Sequence, residues 1–458
     1  MMLFLWACTP SPASTDDTDI RRAQDTAVDT SAPADTGSPA VPLLPQPAAA
    51  ADLDPDPGIV HISLEAAPLA YEVAGELIDG FAYNGQVPGP IIWAQLGDTV
   101  RVDFTNSLST PTTVHWHGLS VPAAMDGVLW LSEPVPSGGR FTYDFTVNEV
   151  GTFWYHPHLD SDRQVDLGLY GVLVVEDPAE PAADHDLVVV WDTWGEPVEG
   201  DGHGHTAPDP ALAVWTANGV VRPRLLIGEG ETARVRRLNA SNLGYLDLTW
   251  PDMRQLAGDQ GLLPGALEPG HVLLAPGDRA EFEILPTEDF DVQTAMYTAS
   301  GGPALGEPLP LLTVELPAPQ PAPAGATWPF QGDAPSADPG ATDALYVFAG
   351  GGGDTWLING EVYPDVTVQS LALGQPAVIE VRNLSTTEHP FHLHGQSFEV
   401  LSVNGVPSSA RQVEDTVNVE IRGTVRLLVR PTNPGDWMAH CHLLPHAEGG
   451  MMSVLRVE

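Results

Sequence analysis

The sequence predicts an all-β protein of three homologous Greek-key β-sandwich domains, and three observations carry that reading. Glycine and proline number 45 each while aromatic residues make up only 7%, a balance that suits short strands and turns rather than long helices. A ten-residue block running from Gly through alternating apolar positions to Asn occurs three times, as GDTVRVDFTN from Gly97, GETARVRRLN from Gly230 and GQPAVIEVRN from Gly374. Each block follows an Asn-Gly turn, at Asn84, Asn218 and Asn359. Alternation of this kind reads as a half-buried strand. The blocks recur after 133 and 144 residues, a domain-sized interval rather than a solenoid one.

In chain order, residues 1–58 come first and are read as an address and a tether. MMLFLWAC is a short apolar run ending at Cys8, and LWAC resembles a bacterial lipobox, whose cysteine carries a lipid. The run lacks a positive flank and is shorter than a usual signal; a start placed too late would account for both. The Ser/Thr/Ala/Pro/Asp-rich stretch that follows cannot bury a core and predicts a disordered acidic tether. Arg21-Arg22 have no apolar stretch behind them and are not a twin-arginine signal. The three domains follow at 59–180, 181–318 and 343–458, with a Pro/Ala-rich linker at 319–342. No later segment is long and apolar enough to span a bilayer. The expectation is a monomer, exported to the periplasm or cell surface, that meets the membrane only through a lipid on Cys8.

Charge excludes several classes of partner. The formal net charge is −43 and there is no lysine, so all 18 basic side chains are arginine. Without lysine there is no Walker-type phosphate loop, and the run Gly350 to Gly353 is read as a turn. A surface this acidic repels phosphate backbones, so nucleic acid is not a partner. The acidity itself is read as a solubility or salt adaptation.

Histidines carry the chemistry. The first domain holds HWHG (His115, His117) and then GTFWYHPH (His156, His158); the third holds HLHG (His392, His394) and then GDWMAHCH (His440, His442). In a strand, residues i and i+2 share a face, so each pair presents two imidazoles side by side. The second domain has neither pair. Eight histidines in four matched pairs predict a metal cluster between domains one and three. Cys441 stands between His440 and His442, where the first domain has Pro157. Alternation turns its thiol to the opposite face. There, with His389, His446 and a weak axial Met451, it forms the donor set of a blue-copper electron-transfer site. A structural zinc site would want closed tetrahedral ligation and would leave the eight histidines unexplained.

HWHGL, WYHPH, HPFHLHG and HCHLLPHAEGGMM resemble the four copper motifs of the multicopper oxidases, the laccase-like family of three cupredoxin domains. The resemblance covers residues 59–458 and extends to bacterial laccases and copper-efflux oxidases. It implies four copper ions. One type 1 copper would sit on His389, Cys441, His446 and Met451. One type 2 copper would sit on His115 and His392, and two type 3 coppers on His117, His156, His158, His394, His440 and His442. It also implies four one-electron oxidations feeding the reduction of dioxygen to two waters, with His446 or His389 as the place where an electron enters.

The reductant is read as a phenol or a similar small molecule. Efflux oxidases carry methionine-rich segments because thioether sulfur suits Cu(I), whereas this chain has eight methionines and AGGGGD near that position. The alternative is a metal-ion oxidase acting on Cu(I), Mn(II) or Fe(II) in metal tolerance. A copper-less structural relative or a copper store is disfavoured by the complete ligand set. The loop DGHGH, with His203 and His205, is read as an exposed polar loop. Reducing dioxygen consumes four protons, and related bacterial enzymes use two acids for delivery. Asp126 in AAMDG matches the first; Ala447 occupies the second position, and the nearest carboxylate is Glu448. In an extended segment that shift would turn Glu448 away, whereas in a helical one it could still reach.

Overall fold

The structure is a computed structural model, and it describes residues 41–195, 213–300 and 307–458. Cys8 and the His203/His205 loop lie outside those residues. Among the described residues the regular secondary structure is almost wholly strand, in six sheets. No described helix is long and apolar enough to cross a membrane.

The repeated blocks form the central strands of three equivalent sheets. Thr99–Asn106, Ala233–Asn239 and Ala377–Asn383 each pair in parallel with the strand that opens their repeat: Ile59–Val73, His185–Trp194 and Ala344–Gly352. Each pairs antiparallel on its other side, with Arg140–Thr146, Arg279–Ile284 and Thr424–Val429. The Asn-Gly turns are equivalent too. Asn84, Asn218 and Asn359 all take left-handed backbone (φ 50, 51 and 57°), a conformation asparagine tolerates better than most residues. Each turns its side chain onto the opening strand: Oδ1 accepts from the amides of Glu65, Val190 and Val347 at 2.7, 2.7 and 2.8 Å. The asparagines that close the blocks behave alike. The Nδ2 groups of Asn106, Asn239 and Asn383 each donate to two backbone carbonyls. The alternating apolar positions point into three separate cores, one per repeat, with Val102 and Phe104, Val235, and Ile379 and Val381 among them.

Two expectations need correction. Residues 41–58 were assigned to the tether, yet they lie along the folded body. Leu44 N donates to Arg224 O, Arg224 N to Pro42 O, and Ala50 N to Ile91 O, each at 2.8 Å. Strand edges with free backbone groups hold the segment, while Leu44 and Ala50 pack against two of the cores. The run Gly350 to Gly353 is a turn only at its end: Gly350 to Gly352 belong to the strand Ala344–Gly352, which pairs with Thr355–Ile358 with a register shift between Gly350 and Gly352, and Gly353 and Asp354 turn the chain between them.

Candidate metal centres

Both outer repeats build a second sheet that carries the histidine motifs. In the first, His115–His117 pairs with Gly151–His156 so that His115 lies opposite His156. In the third, His389–Leu393 pairs with Gly435–Cys441 so that His392 lies opposite His440. Three of the four pairs place their second histidine just past the strand end, at His158, His394 and His442. The rings converge nonetheless. His117 stacks on His392 at 3.7 Å with planes 10° apart, and His115 on His394 at 3.9 Å and 28°. His158 and His440 lie 5.1 Å apart, as do His156 and His442 at 5.6 Å. All eight are buried.

The hydrogen bonds of the rings show what is missing. His115 Nδ1 donates to Asp126 O, His392 Nδ1 to Asp415 O and His394 Nδ1 to Asp126 Oδ2, each at 2.9 Å. His440 Nδ1 donates to Cys441 O at 2.8 Å, and His156 Nδ1 to Pro157 O at 3.0 Å. His117 differs: its Nε2 meets Asp415 Oδ1 at 3.0 Å. A neutral imidazole that donates from one nitrogen holds a lone pair on the other. The nitrogens left without a partner in the interior are Nε2 of His115, His156, His158 and His392, Nδ1 of His117, and both nitrogens of His442, one of which carries the ring's lone pair. His394 Nε2 and His440 Nε2 face each other at 3.1 Å, although both rings donate from Nδ1. Two lone pairs at that distance repel unless a cation lies between them, and nitrogens about 2.0 Å from a shared metal sit roughly 3.3 Å apart at a tetrahedral angle. Burial first, and neighbouring imidazoles second, push His158, His394 and His442 well below the usual histidine range. The rings are therefore neutral and free to ligate.

On the other face of Cys441 a second set assembles. His389 Nδ1 lies 3.3 Å and His446 Nδ1 3.8 Å from Cys441 Sγ, and the two nitrogens are 3.1 Å apart. Met451 is fully buried in the same core, and its carbonyl accepts from Cys441 N at 3.1 Å. Burial alone pushes His389 down to about 3. Burial also pushes the Cys441 thiol well up, so only a bound cation makes it a thiolate. One soft donor beside two imidazoles suits copper. His446 is the one histidine of the ten that keeps part of its surface at solvent.

The two acids singled out from the sequence sit in different surroundings. Asp126 is fully buried and touches both His394 and His115, the latter at 3.3 Å from Oδ1. Glu448 ends the short helix Leu444–Glu448, and this helical backbone answers the question of its direction. Its Oε1 accepts from Ser161 N and Ser161 Oγ, both at 2.8 Å, and it shares a cavity of about 180 Å³ with His158, Met438 and Met452. Ala447 is buried.

Sequence reasoning missed Asp415 and the residues behind it. Asp415 Oδ1 meets His117, and both carboxylate oxygens are held by Arg279, at 2.8 Å (Nη1) and 2.5 Å (Nη2). Gln260 Nε2 donates to Asp415 Oδ2 and to Gly118 O, both at 2.7 Å. A Cβ on Gly118 would lie 2.6 Å from Arg279 Nη2, so the glycine of HWHG makes room for this pair. Burial would raise Asp415, but Arg279 and His117 more than offset it and hold the carboxyl well below its ordinary value. In a chain with 61 acidic residues, EDTVNV carries no pattern that marks Asp415.

Two domain families, both described as multicopper oxidase, match residues 69–180 and 337–458. The chain is 30% identical to a multicopper oxidase of Staphylococcus epidermidis over 408 residues, covering 82% of this chain and 83% of the relative. It is 28% identical to the multicopper oxidase MmcO of Mycobacterium tuberculosis, covering 86% of each. Among solved structures, the multi-copper oxidase of Pseudomonas thermotolerans superposes with a TM-score of 0.74 at 28% identity, covering 87% of this chain and 99% of that one. A Campylobacter jejuni multicopper oxidase, described as a metallo-oxidase, shares the fold with a TM-score of 0.77 at 24% identity, covering 92% and 96%. Matched by multicopper oxidase families over both outer repeats and 30% identical to a relative over four fifths of its length, the chain belongs to the multicopper oxidase family and is a copper-dependent oxidoreductase that uses dioxygen as its acceptor.

Proposed function

We propose that the protein is a laccase-type oxidase that takes single electrons from small phenolic or similar reductants and reduces dioxygen to two waters. The observation that carries this reading is the set of orphaned, buried imidazole lone pairs beside a Cys441–His389–His446 triad. The residues fit four coppers: type 1 on His389, Cys441, His446 and Met451; type 2 on His115 and His392; type 3 on His117, His156 and His442 and on His158, His394 and His440. Bound copper supplies the one-electron redox chemistry that these side chains lack. Asp126 and Asp415 fix ring orientation and tautomer, a task that outer carboxylates perform in most histidine metal sites. The stoichiometry closes: four phenols each lose one electron and the hydroxyl proton, and dioxygen takes up four of each.

Two features favour a phenol over a metal ion. His446, which keeps part of its surface at solvent, stacks on an indole, and the strand beside that indole ends in the glycine run. The metal-ion reading is supported by the cavity where Met438, Met452 and Glu448 come together. Steady-state kinetics of the copper-loaded protein with 2,6-dimethoxyphenol, Cu(I), Mn(II) and Fe(II) decide between them. The expected order puts the phenol first in kcat/KM, and a metal ion oxidised far more efficiently reverses it. Export as a monomer, anchored through Cys8, completes the proposal. Cys8→Ser should then move the protein from the membrane fraction to the soluble one, and unchanged partitioning removes the anchor.

A further inference from the structure

The hairpin made by Ala344–Gly352 and Thr355–Ile358 leans over His446. Trp356 lies face to face with the imidazole, ring centres 3.8 Å apart and planes 27° apart, and stands edge-on to His389 at 5.3 Å. The approach is built in. Trp356 N donates to Gly449 O at 3.0 Å. A Cβ on Gly449 would lie 2.4 Å from Asp354 O and 2.9 Å from Trp356 Cδ1, and one on Gly450 would lie 2.5 Å from Val362 Cγ1. The indole is therefore a fixed wall beside the ligand.

The hairpin leaves that wall uncovered. The residue directly across from Trp356 is Gly350, and directly opposed residues in an antiparallel pair share a face. A Cβ at Gly350 would lie 3.8 Å from Trp356 Cζ3, so a larger side chain there would cover the indole. Gly351, Gly352 and Gly353 are exposed as well, and a Cβ on Gly352 or Gly353 would meet nothing within 4 Å. An indole that is partly exposed, rigid and flanked by glycines offers a flat apolar surface next to the ring where an electron enters.

We propose that Trp356 is the docking face for aromatic reductants and sets the preference for them over metal ions, a role that rests on the phenol-oxidase reading above. Aromatic rings gain from offset or edge-to-face packing on indole beyond the area they bury. A hydrated metal ion gains little from an apolar wall, and it finds one face of His446 already occupied.

The test uses the copper-loaded full chain and three variants. Trp356→Ala should raise KM for 2,6-dimethoxyphenol by roughly two- to tenfold, the range of one lost aromatic contact, with kcat much less affected. The ratio of phenol to Fe(II) kcat/KM should fall with it. Trp356→Phe should recover most of the loss. Gly350→Leu, which leaves the indole in place but covers it, should raise KM as Trp356→Ala does and guards against a variant that merely misfolds. A readout free of turnover is saturation-transfer NMR of benzyl alcohol with copper-free protein, whose signal should weaken in both Trp356→Ala and Gly350→Leu. KM and NMR signal unchanged in both variants, with copper content and blue colour intact, overturn the docking face alone. A wild type that prefers Fe(II) or Cu(I) overturns the phenol reading and this inference together.

Discussion

Single residues decide the colour and the speed of this enzyme. Cys441 is the one cysteine among the described residues and is buried, so under the proposal above the strong absorption of a copper–thiolate pair rests on it. Cys441→Ser should give a colourless protein that keeps most of its remaining copper, because the eight-histidine cluster uses the other face of the strand. Blue colour surviving in that variant, read by visible absorption, would reassign the site. Asp126 holds two rings with one carboxylate. An asparagine there presents a donor to a ring nitrogen that already donates. Asp126→Asn should lower turnover by roughly ten- to ten-thousand-fold, the range of lost acid–base assistance, while the blue colour stays, since Asp126 touches no type 1 ligand. Full activity with full copper would place proton delivery elsewhere. The convergence of the histidine pairs was legible because a spacing of two in an extended segment is a geometric statement. Asp415 and Trp356 were not: each acts through a contact made between distant segments, and nothing adjacent in sequence marks it.

At the scale of elements, the blocks and turns were legible because each states a local rule three times over. Asn84, Asn218 and Asn359 share one conformation and one set of backbone contacts, so the repeat in sequence is a repeat in hydrogen bonding. The docking of residues 41–58 was illegible for the opposite reason: much of its hold is backbone, which is the same in every sequence, and the side chains that add to it, Gln46, Asn218 and Arg224, form no local pattern. One strand carries a pH dependence. In His185–Trp194, burial pushes the Asp192 carboxyl up to about 7, although the Tyr170 hydroxyl, 2.6 Å away, and the Thr193 amide oppose it. An unfolded aspartate ionises near pH ~4. Below that pH both states hold the proton and the group costs nothing. Between there and about 7 the unfolded chain has released a proton that the folded one keeps, so stability falls as pH rises, by about 1.4 kcal/mol per pH unit at most. Asp192→Asn removes this loss. Its thermal midpoint relative to wild type should therefore be higher at pH 7.5 than at pH 4.5, and an offset independent of pH would show that Asp192 is already ionised.

Across the whole molecule, the second repeat, which holds none of the proposed copper ligands, ties together the two repeats that do. Arg279 comes from its strand Arg279–Ile284; Nε donates to Thr152 O of the first repeat at 2.9 Å while Nη1 and Nη2 grip Asp415 of the third. Asp259 adds a second hold, with Oδ2 accepting from Thr416 N at 3.1 Å and Oδ1 from Arg279 N at 2.7 Å. Arg279 is wholly buried, as is the carboxylate it neutralises. Removing one partner of a buried ion pair leaves an uncompensated charge, which costs about 3–5 kcal/mol. Asp415 can escape that cost by taking up a proton, and it then presents a different hydrogen-bonding face to His117 and His392. Arg279→Leu should accordingly keep the blue type 1 colour, since none of its contacts reaches His389 or His446, while the histidine cluster binds copper roughly ten- to a hundredfold more weakly, the usual effect of losing an outer-sphere partner. Arg279→Lys should fall between, because a lysine holds one carboxylate oxygen where the guanidinium holds two. Metal analysis after dialysis against a chelator, read beside the visible spectrum, separates the two centres. Four coppers retained by Arg279→Leu would mean that the second repeat is only a spacer between the domains that carry the ligands.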